Sequence, residues 1–212
     1  MEIIVKIKCF IFDIDEVIIR QKAFYSEYLE LQGYNNASTV ISNYYYGGYD
    51  DECVYGLKNP LIEIKPFLDI IKWEYSAFEY FKNDFEYQKQ YVDYELLENI
   101  KKLKTYGFKC FLATDQDQVR MKYILENFEF NKVFDFWFVS SNMKARKKNK
   151  EFWEMVEIEL VKQGINIAET LFIDDRIENI NLASKQGINT FHIKNYESIH
   201  ELKMYLAKYI EK

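Results

Sequence analysis

Cysteine, histidine, proline and glycine are all scarce in this 212-residue chain, and each scarcity excludes something. The 3 cysteines, Cys9, Cys53 and Cys110, are odd in number and widely spaced, without a CxxC pair. Only His192 and His200 are available to help them bind a metal, so neither a disulfide framework nor a zinc site is expected. Cys9 and Cys110 lie in apolar runs and read as small buried hydrophobes rather than reactive thiols. With 7 Gly and 2 Pro the chain is neither collagen-like nor dominated by linkers. Uninterrupted apolar runs are missing as well. The N-terminal stretch MEIIVKIKCFIFDIDEVIIR is broken by Lys6, Lys8, Asp13 and Asp15, which makes it neither a signal h-region nor a membrane span. The expected setting is a reducing cytoplasm, without a membrane partner.

Positive charge is in deficit: 28 basic against 34 acidic residues give a formal net charge of -6. A protein held to nucleic acid by its overall field is not expected, and an anionic substrate needs a local cation. What the chain has in quantity is apolar and aromatic surface, at 49% hydrophobic residues with 18 Tyr and 17 Phe, which sets it apart from disordered sequences. The length suits one domain with an insertion, or two small domains.

Short apolar runs at 7–12, 108–113, 134–139, 171–173 and 190–193 read as buried parallel strands. Helical periodicity fills the gaps between the later ones. In 93–106, Leu96, Leu97, Ile100 and Leu103 recur at three- and four-residue steps before Gly107, and 118–128, 150–163 and 177–186 repeat the pattern. Strand and helix alternating in this way predict an α/β fold with a doubly wound parallel sheet. About seventy residues between the first strand and the next unit contain no convincing strand, too many for a plain loop. Segments 24–31 and 61–85 read as aromatic-rich helices joined by a polar, tyrosine-rich stretch, 42–56. The predicted division is a core of 1–19 and 93–212 with a helical insertion at 20–92.

Four predicted strand ends carry chemistry, and in a doubly wound sheet ligands bind at the carboxyl ends of strands. Asp13 and Asp15 follow the first strand in KCFIFDIDEVII, where two carboxylates in different surroundings can divide the work of nucleophile and general acid/base; simple turn chemistry is the alternative. Asp174 and Asp175 follow the fourth strand in LFIDDRIENI. Adjacent carboxylates repel, so a cation between them and their neighbours is one reading, for which hard oxygen ligands suit magnesium; Asp175 as a helix N-cap is the other. Thr114 ends the second strand and either holds a phosphoryl oxygen or caps the following helix. After the third strand, SSNMKARKKNK carries five cations, either a solvated face or the source of one inward lysine that balances the carboxylates.

These four segments, in this order, resemble the haloacid dehalogenase superfamily, specifically phosphatase-like members with a helical cap inserted after the first motif. The family's DxDx(T/V) is matched by Asp13, Asp15 and Val17, its Thr by Thr114, and its DD with a later Asn by Asp174, Asp175 and Asn179. The resemblance implies phosphoryl transfer from a small phosphorylated substrate. Asp13 is then the nucleophile, Asp15 the general acid/base, and Thr114 the phosphoryl binder. Mg²⁺ is held by the Asp13 carboxylate, the Asp15 backbone carbonyl and Asp175, with Asp174 and Asn179 in support. Aligning the family's S-S-x-x-x-x-R-K-P on residues 140–148 selects Lys147, with Lys144 and Lys148 as alternatives. Dehalogenases proper lack the acid two residues after the nucleophile, so Asp15 favours a phosphatase. Asp115, Tyr45 and Tyr46 are further substrate-binding candidates. Glu16 replaces the family's usual Gly, Asp115 stands where Asn is frequent, and Lys148 and Lys150 stand where prolines are common. These departures keep a weakly catalytic ligand-binding protein as an alternative, beside a phosphomutase of the same superfamily. The expected assembly is a monomer or homodimer.

Overall fold

The computed structural model describes residues 6–210, so the first five and last two residues of the predicted core lie outside it. Five strands, β1 (Cys9–Phe12), β2 (Lys109–Thr114), β3 (Phe136–Val139), β4 (Thr170–Asp174) and β5 (Asn189–His192), form one sheet in the order β3-β2-β1-β4-β5. Every pairing is parallel, and Phe12 stands opposite Leu112 on one side and Ile173 on the other. The chain steps outward from β1 through β2 to β3 and then crosses back to β4, so the reversal of direction falls between β1 and β4. That is where a doubly wound sheet opens its ligand crevice.

Alternation along the central strands supplies both faces of the sheet. Phe10, Phe12, Cys110, Leu112, Leu171 and Ile173 point to one side, where they meet α6 (Tyr94–Thr105), α7 (Gln118–Asn127), α8 (Phe130–Val133) and α12 (Tyr196–Ile210). Cys9, Ile11, Phe111, Ala113 and Phe172 point to the other, against α10 (Lys150–Lys162) and α11 (Ile177–Lys185). A short turn of helix, α9 (Ser140–Met143), follows β3 directly. Asp93 Oδ1 accepts from Leu96 N–H at 2.9 Å to start α6, and Gly107, at φ 88°, turns the chain from α6 into β2. The C-terminal helix α12 was not among the helices read from periodicity; Leu202 and Leu206 seat it in the core, and Lys203 pairs with Asp93 at 2.9 Å. The three cysteines are free and buried. No helix among the described residues is long and apolar enough to cross a membrane.

Between β1 and β2 lie α1 (Tyr25–Leu31), α2 (Ala37–Tyr44), α3 (Pro60–Glu63), α4 (Lys65–Ile70) and α5 (Ala77–Gln88). They share an aromatic core that includes Tyr25, Leu29, Tyr44, Leu68, Tyr80, Phe81 and Phe85, and Val119 and Tyr123 of α7 pack against it. The outgoing and returning strands of this insertion are stitched together. Arg20 N–H donates to Tyr91 O at 3.0 Å and Asp93 N–H to Ile18 O at 2.8 Å. Two features differ from expectation. The stretch 42–56 is not a polar connector, because α2 runs into a π-helical segment, Tyr45–Cys53. Ala37, Ile41 and Tyr44 are buried at helical spacing, so packing overrides the weak helix propensity of ASTVISNY. The stretch 61–85 is three helices rather than a continuous run, with Pro66 opening α4 and Lys72 in a left-handed conformation after it.

The end of the π-helical segment docks on the loop after β3. Ser140 Oγ donates to Val54 O at 2.8 Å, and Lys144 Nζ donates to Gly56 O. Gly56 has φ 64°, and a Cβ there would collide with the backbone carbonyl of Ser141. Gly56→Ala should therefore lower stability by about 2 kcal/mol in urea unfolding, since left-handed strain alone is of order 1–3 kcal/mol. An unchanged midpoint would mean that this close approach is not maintained in solution.

Candidate active site

The carboxyl ends of β1 and β4 deliver two carboxylates to the crevice. Asp13 N–H donates to Ile173 O at 2.9 Å, which extends the β1–β4 ladder by one residue and fixes where Asp13 begins. The Asp13 and Asp174 side chains are almost wholly buried, and ligand oxygens of Asp13, Asp174 and Asp175 lie within 4.8 Å of one another. Lys147 Nζ sits between the first two, 2.7 Å from Asp13 Oδ1 and 2.7 Å from Asp174 Oδ2. It is the inward lysine of the basic run; Lys148 is exposed, and Lys144 is spent on Gly56.

The reach of Lys147 is prepared by its neighbours. Its backbone N–H donates to Asp115 Oδ1 at 3.0 Å, its carbonyl accepts from Trp153 Nε1 at 2.7 Å, and Arg146 Nε donates to Asp115 Oδ2 at 3.1 Å. The Asp115 carboxylate thus faces the lysine loop. On the far side Asn179 Nδ2 donates to both oxygens of Asp174 at 3.2 Å, and Arg176 N–H donates to Asp174 Oδ1 at 2.7 Å. Arg176 is the N-cap of α11 and no side chain caps that helix, so Asp175 is not its N-cap; the half-buried Asp175 side chain belongs to the cluster.

Thr114 is fully buried with its hydroxyl unpartnered, and α7 is capped instead by Asp117, whose Oδ1 accepts from Val119 N–H at 2.7 Å and Arg120 N–H at 3.0 Å. An unpaired buried hydroxyl at a strand end is expensive unless a ligand completes it. Asp15 has both oxygens engaged, by Arg120 at 2.8 and 2.7 Å and by Gln116 Nε2 at 2.5 Å. Of the two tyrosine candidates, the Tyr45 hydroxyl donates to Asp84 at 3.4 Å and Tyr46 projects into solvent, 90% exposed. Arg120, Gln116, Gln88 and Asp84 carried no local motif in the sequence; the one available signal was that Arg120 lies in the first turn of the helix that follows Thr114.

Burial dominates the electrostatics. It pushes the Asp13 carboxyl well above its ordinary range, and Asp174 and Asp15 add to that against the pull of Lys147. The Asp175 carboxyl is raised by burial and then by Asp174. Burial disfavours the Lys147 ammonium too, but Asp13 and Asp174 outweigh it and hold the lysine above its usual range. Burial also acts to raise Asp15, and there Arg120, with the Gln116 hydrogen bond, prevails and leaves it lowered. Three acidic side chains converge on one ammonium, and an all-oxygen donor set of this kind fits a hard divalent cation.

Residues 10–193 match the family described as haloacid dehalogenase-like hydrolase. The chain belongs to this family. None of the curated proteins matches it. Among solved structures, a haloacid dehalogenase family enzyme from Bacteroides thetaiotaomicron superposes with a TM-score of 0.72 at 21% identity, covering 93% of this chain and 98% of that one. The same enzyme in complex with magnesium and inorganic phosphate gives 0.71 at 21% identity, over 92% and 98%. L-2-haloacid dehalogenase from Xanthobacter autotrophicus gives 0.60 at 15% identity, over 95% and 88%. These likenesses show the same fold.

Removal of the shared ammonium strands buried carboxylates. Lys147→Ala should cost this hydrolase about 3 kcal/mol or more in chemical denaturation near pH 7, as expected when one partner of a buried pair is deleted. Lys148→Ala, at an exposed position, should stay within about 0.5 kcal/mol. Equal effects of the two substitutions would contradict the placement of Lys147.

Proposed function

We propose that this chain is a magnesium-dependent phosphatase that acts on a small phosphorylated metabolite through an aspartyl-phosphate. The observation that carries the reading is the cluster of Asp13, Asp174 and Asp175 within 4.8 Å around a single ammonium. It is a site short of positive charge, placed at the sheet's point of reversal beside the unpartnered Thr114 hydroxyl. The relative from Bacteroides thetaiotaomicron, in complex with magnesium and inorganic phosphate, supports the same ligand class here.

The roles follow from position. Asp13, directly after β1 and fixed by its backbone bond to Ile173, attacks phosphorus through a carboxylate oxygen, and the bond from phosphorus to the leaving oxygen breaks. Asp15, which takes up a proton as the anionic phosphoryl group enters beside it, gives that oxygen its proton. Asp15 then takes a proton from water as the water attacks phosphorus, and the bond to Asp13 breaks to release phosphate. Lys147 and Thr114 hold the phosphoryl oxygens, where fixed donors in a water-poor site count most. Asp13, Asp175 and the Asp15 backbone carbonyl would hold magnesium, with Asp174 and Asn179 behind them, and the ion would offset the charge of carboxylates and phosphoryl group together. Residues 20–92 act as a cap over a core of 1–19 and 93–212, and a reducing cytoplasm suits three free thiols.

Wild-type protein should hydrolyse p-nitrophenyl phosphate with Mg²⁺ and lose this activity in EDTA. Asp13→Asn should lower the rate about a thousandfold or more with the fold intact by circular dichroism. Turnover retained in Asp13→Asn, or unaffected by chelation, would contradict the mechanism.

A further inference from the structure

Asp15 does not stand free at the crevice. Arg120 grips it with a bidentate fork, Nη1 to Oδ2 at 2.8 Å and Nη2 to Oδ1 at 2.7 Å, and Gln116 adds a third donor. Such a fork sets direction as well as distance, because a planar guanidinium fits a carboxylate in few orientations. Arg120 has little freedom of its own, since its side chain is 10% exposed and its Nε and Nη2 both donate to Gln88 Oε1, at 3.2 and 2.7 Å. Gln88 is the last residue of α5, in the insertion, and its own amide donates to Asp84 Oδ2 at 3.3 Å. Asp84 also accepts from Tyr45, and the Tyr49 hydroxyl donates to Asp117, the residue that caps the helix bearing Arg120. One guanidinium is therefore held from the insertion on one side and holds a core carboxylate on the other.

We propose that Arg120 is the positioning residue for Asp15, and that Gln88 makes this positioning depend on how the insertion sits on the core. The proposal rests on Asp15 acting as acid and base in phosphoryl transfer. It accounts for a buried guanidinium whose partner carboxylate is 48% exposed: a half-exposed ion pair contributes little stability, whereas at a proton-transferring carboxylate its orienting effect changes the rate. The contacts run without a gap from Asp84 and Gln88 through Arg120 to Asp15, so a shift of α5 relative to α7 reaches the acid directly.

Leaving-group dependence tests this. An alkyl phosphate needs a proton on its departing oxygen, while p-nitrophenolate leaves without one, so misplacement of the acid penalises only the first strongly. In Arg120→Met, kcat on glycerol phosphate should fall at least about tenfold further than kcat on p-nitrophenyl phosphate, a fraction of the 10²–10⁴ that general acid catalysis contributes, with KM little changed. Gln88→Leu, which keeps the Arg120 side chain but removes its hold from α5, should bias the two esters in the same direction to a smaller extent. Arg120→Lys should not restore the ratio, because an ammonium lacks the fork. Equal losses on both esters would leave the phosphatase reading standing and remove Arg120's role. A wild type that hydrolyses neither ester would remove the phosphatase reading and this inference together. If Arg120→Met does not fold, the ratio in Gln88→Leu decides.

Discussion

A single buried ammonium holds the centre of this molecule together. Lys147 enters from the loop after β3, at one edge of the sheet, and reaches carboxylates at the ends of β1 and β4, so one charge ties three separate strand ends. Without it Asp13 and Asp174 would be buried acidic side chains with no cationic partner, and isolated buried charge is among the most expensive arrangements a protein can contain. The surrounding detail follows from the need to deliver that lysine. Asp115 and Trp153 brace its backbone, Asn179 and Arg176 occupy the remaining lone pairs of Asp174, and the parallel sheet sets all of these at one edge.

The ammonium balances only part of the charge it faces. Asp175 remains beside the pair, and the buried Thr114 hydroxyl has no hydrogen-bond partner. Under the proposed phosphoryl transfer, a cation and an anion would be the further partners of this site. Asp15 is handled differently, drawn off to Arg120 and Gln116 on the side of the insertion. Two acids separated by one residue thus come under opposite influences: burial raises Asp13, and a guanidinium lowers Asp15. Divergent environments of this kind assign separate chemical duties to like groups. Glu16 follows them at φ 56°, a left-handed turn that suits the glycine usual in the family, and the backbone makes that turn with a side chain present.

Much of this was legible in the sequence because it is local. Every strand lies within two residues of its apolar run, since a buried parallel strand must be apolar on both faces. The acidic strand ends stand out because carboxylates directly after such runs are conspicuous. What escaped is what depends on distant partners. The helix Ala37–Tyr44 has β-branched residues and its N-cap, Asn36, makes no side-chain cap; it forms because three of its side chains are buried. Arg120 and Asp15 are separated by 105 positions, so no window of sequence contains their ion pair. Tyr45 and Tyr46 are neighbours with nothing to tell them apart, yet the fold sends one hydroxyl to Asp84 and the other ring into solvent. A tyrosine cluster announces an aromatic core without saying which ring faces a ligand.

Capture of the phosphoryl group on Asp13 is the most direct test of phosphoryl transfer at this site. Protein quenched during turnover of a phosphate ester with Mg²⁺ and reduced with borohydride should carry homoserine at position 13, the reduction product of an aspartyl-phosphate, as located by peptide mass spectrometry. Turnover without modification of Asp13, or with the modification at Asp15, Asp174 or Asp175 instead, would contradict it.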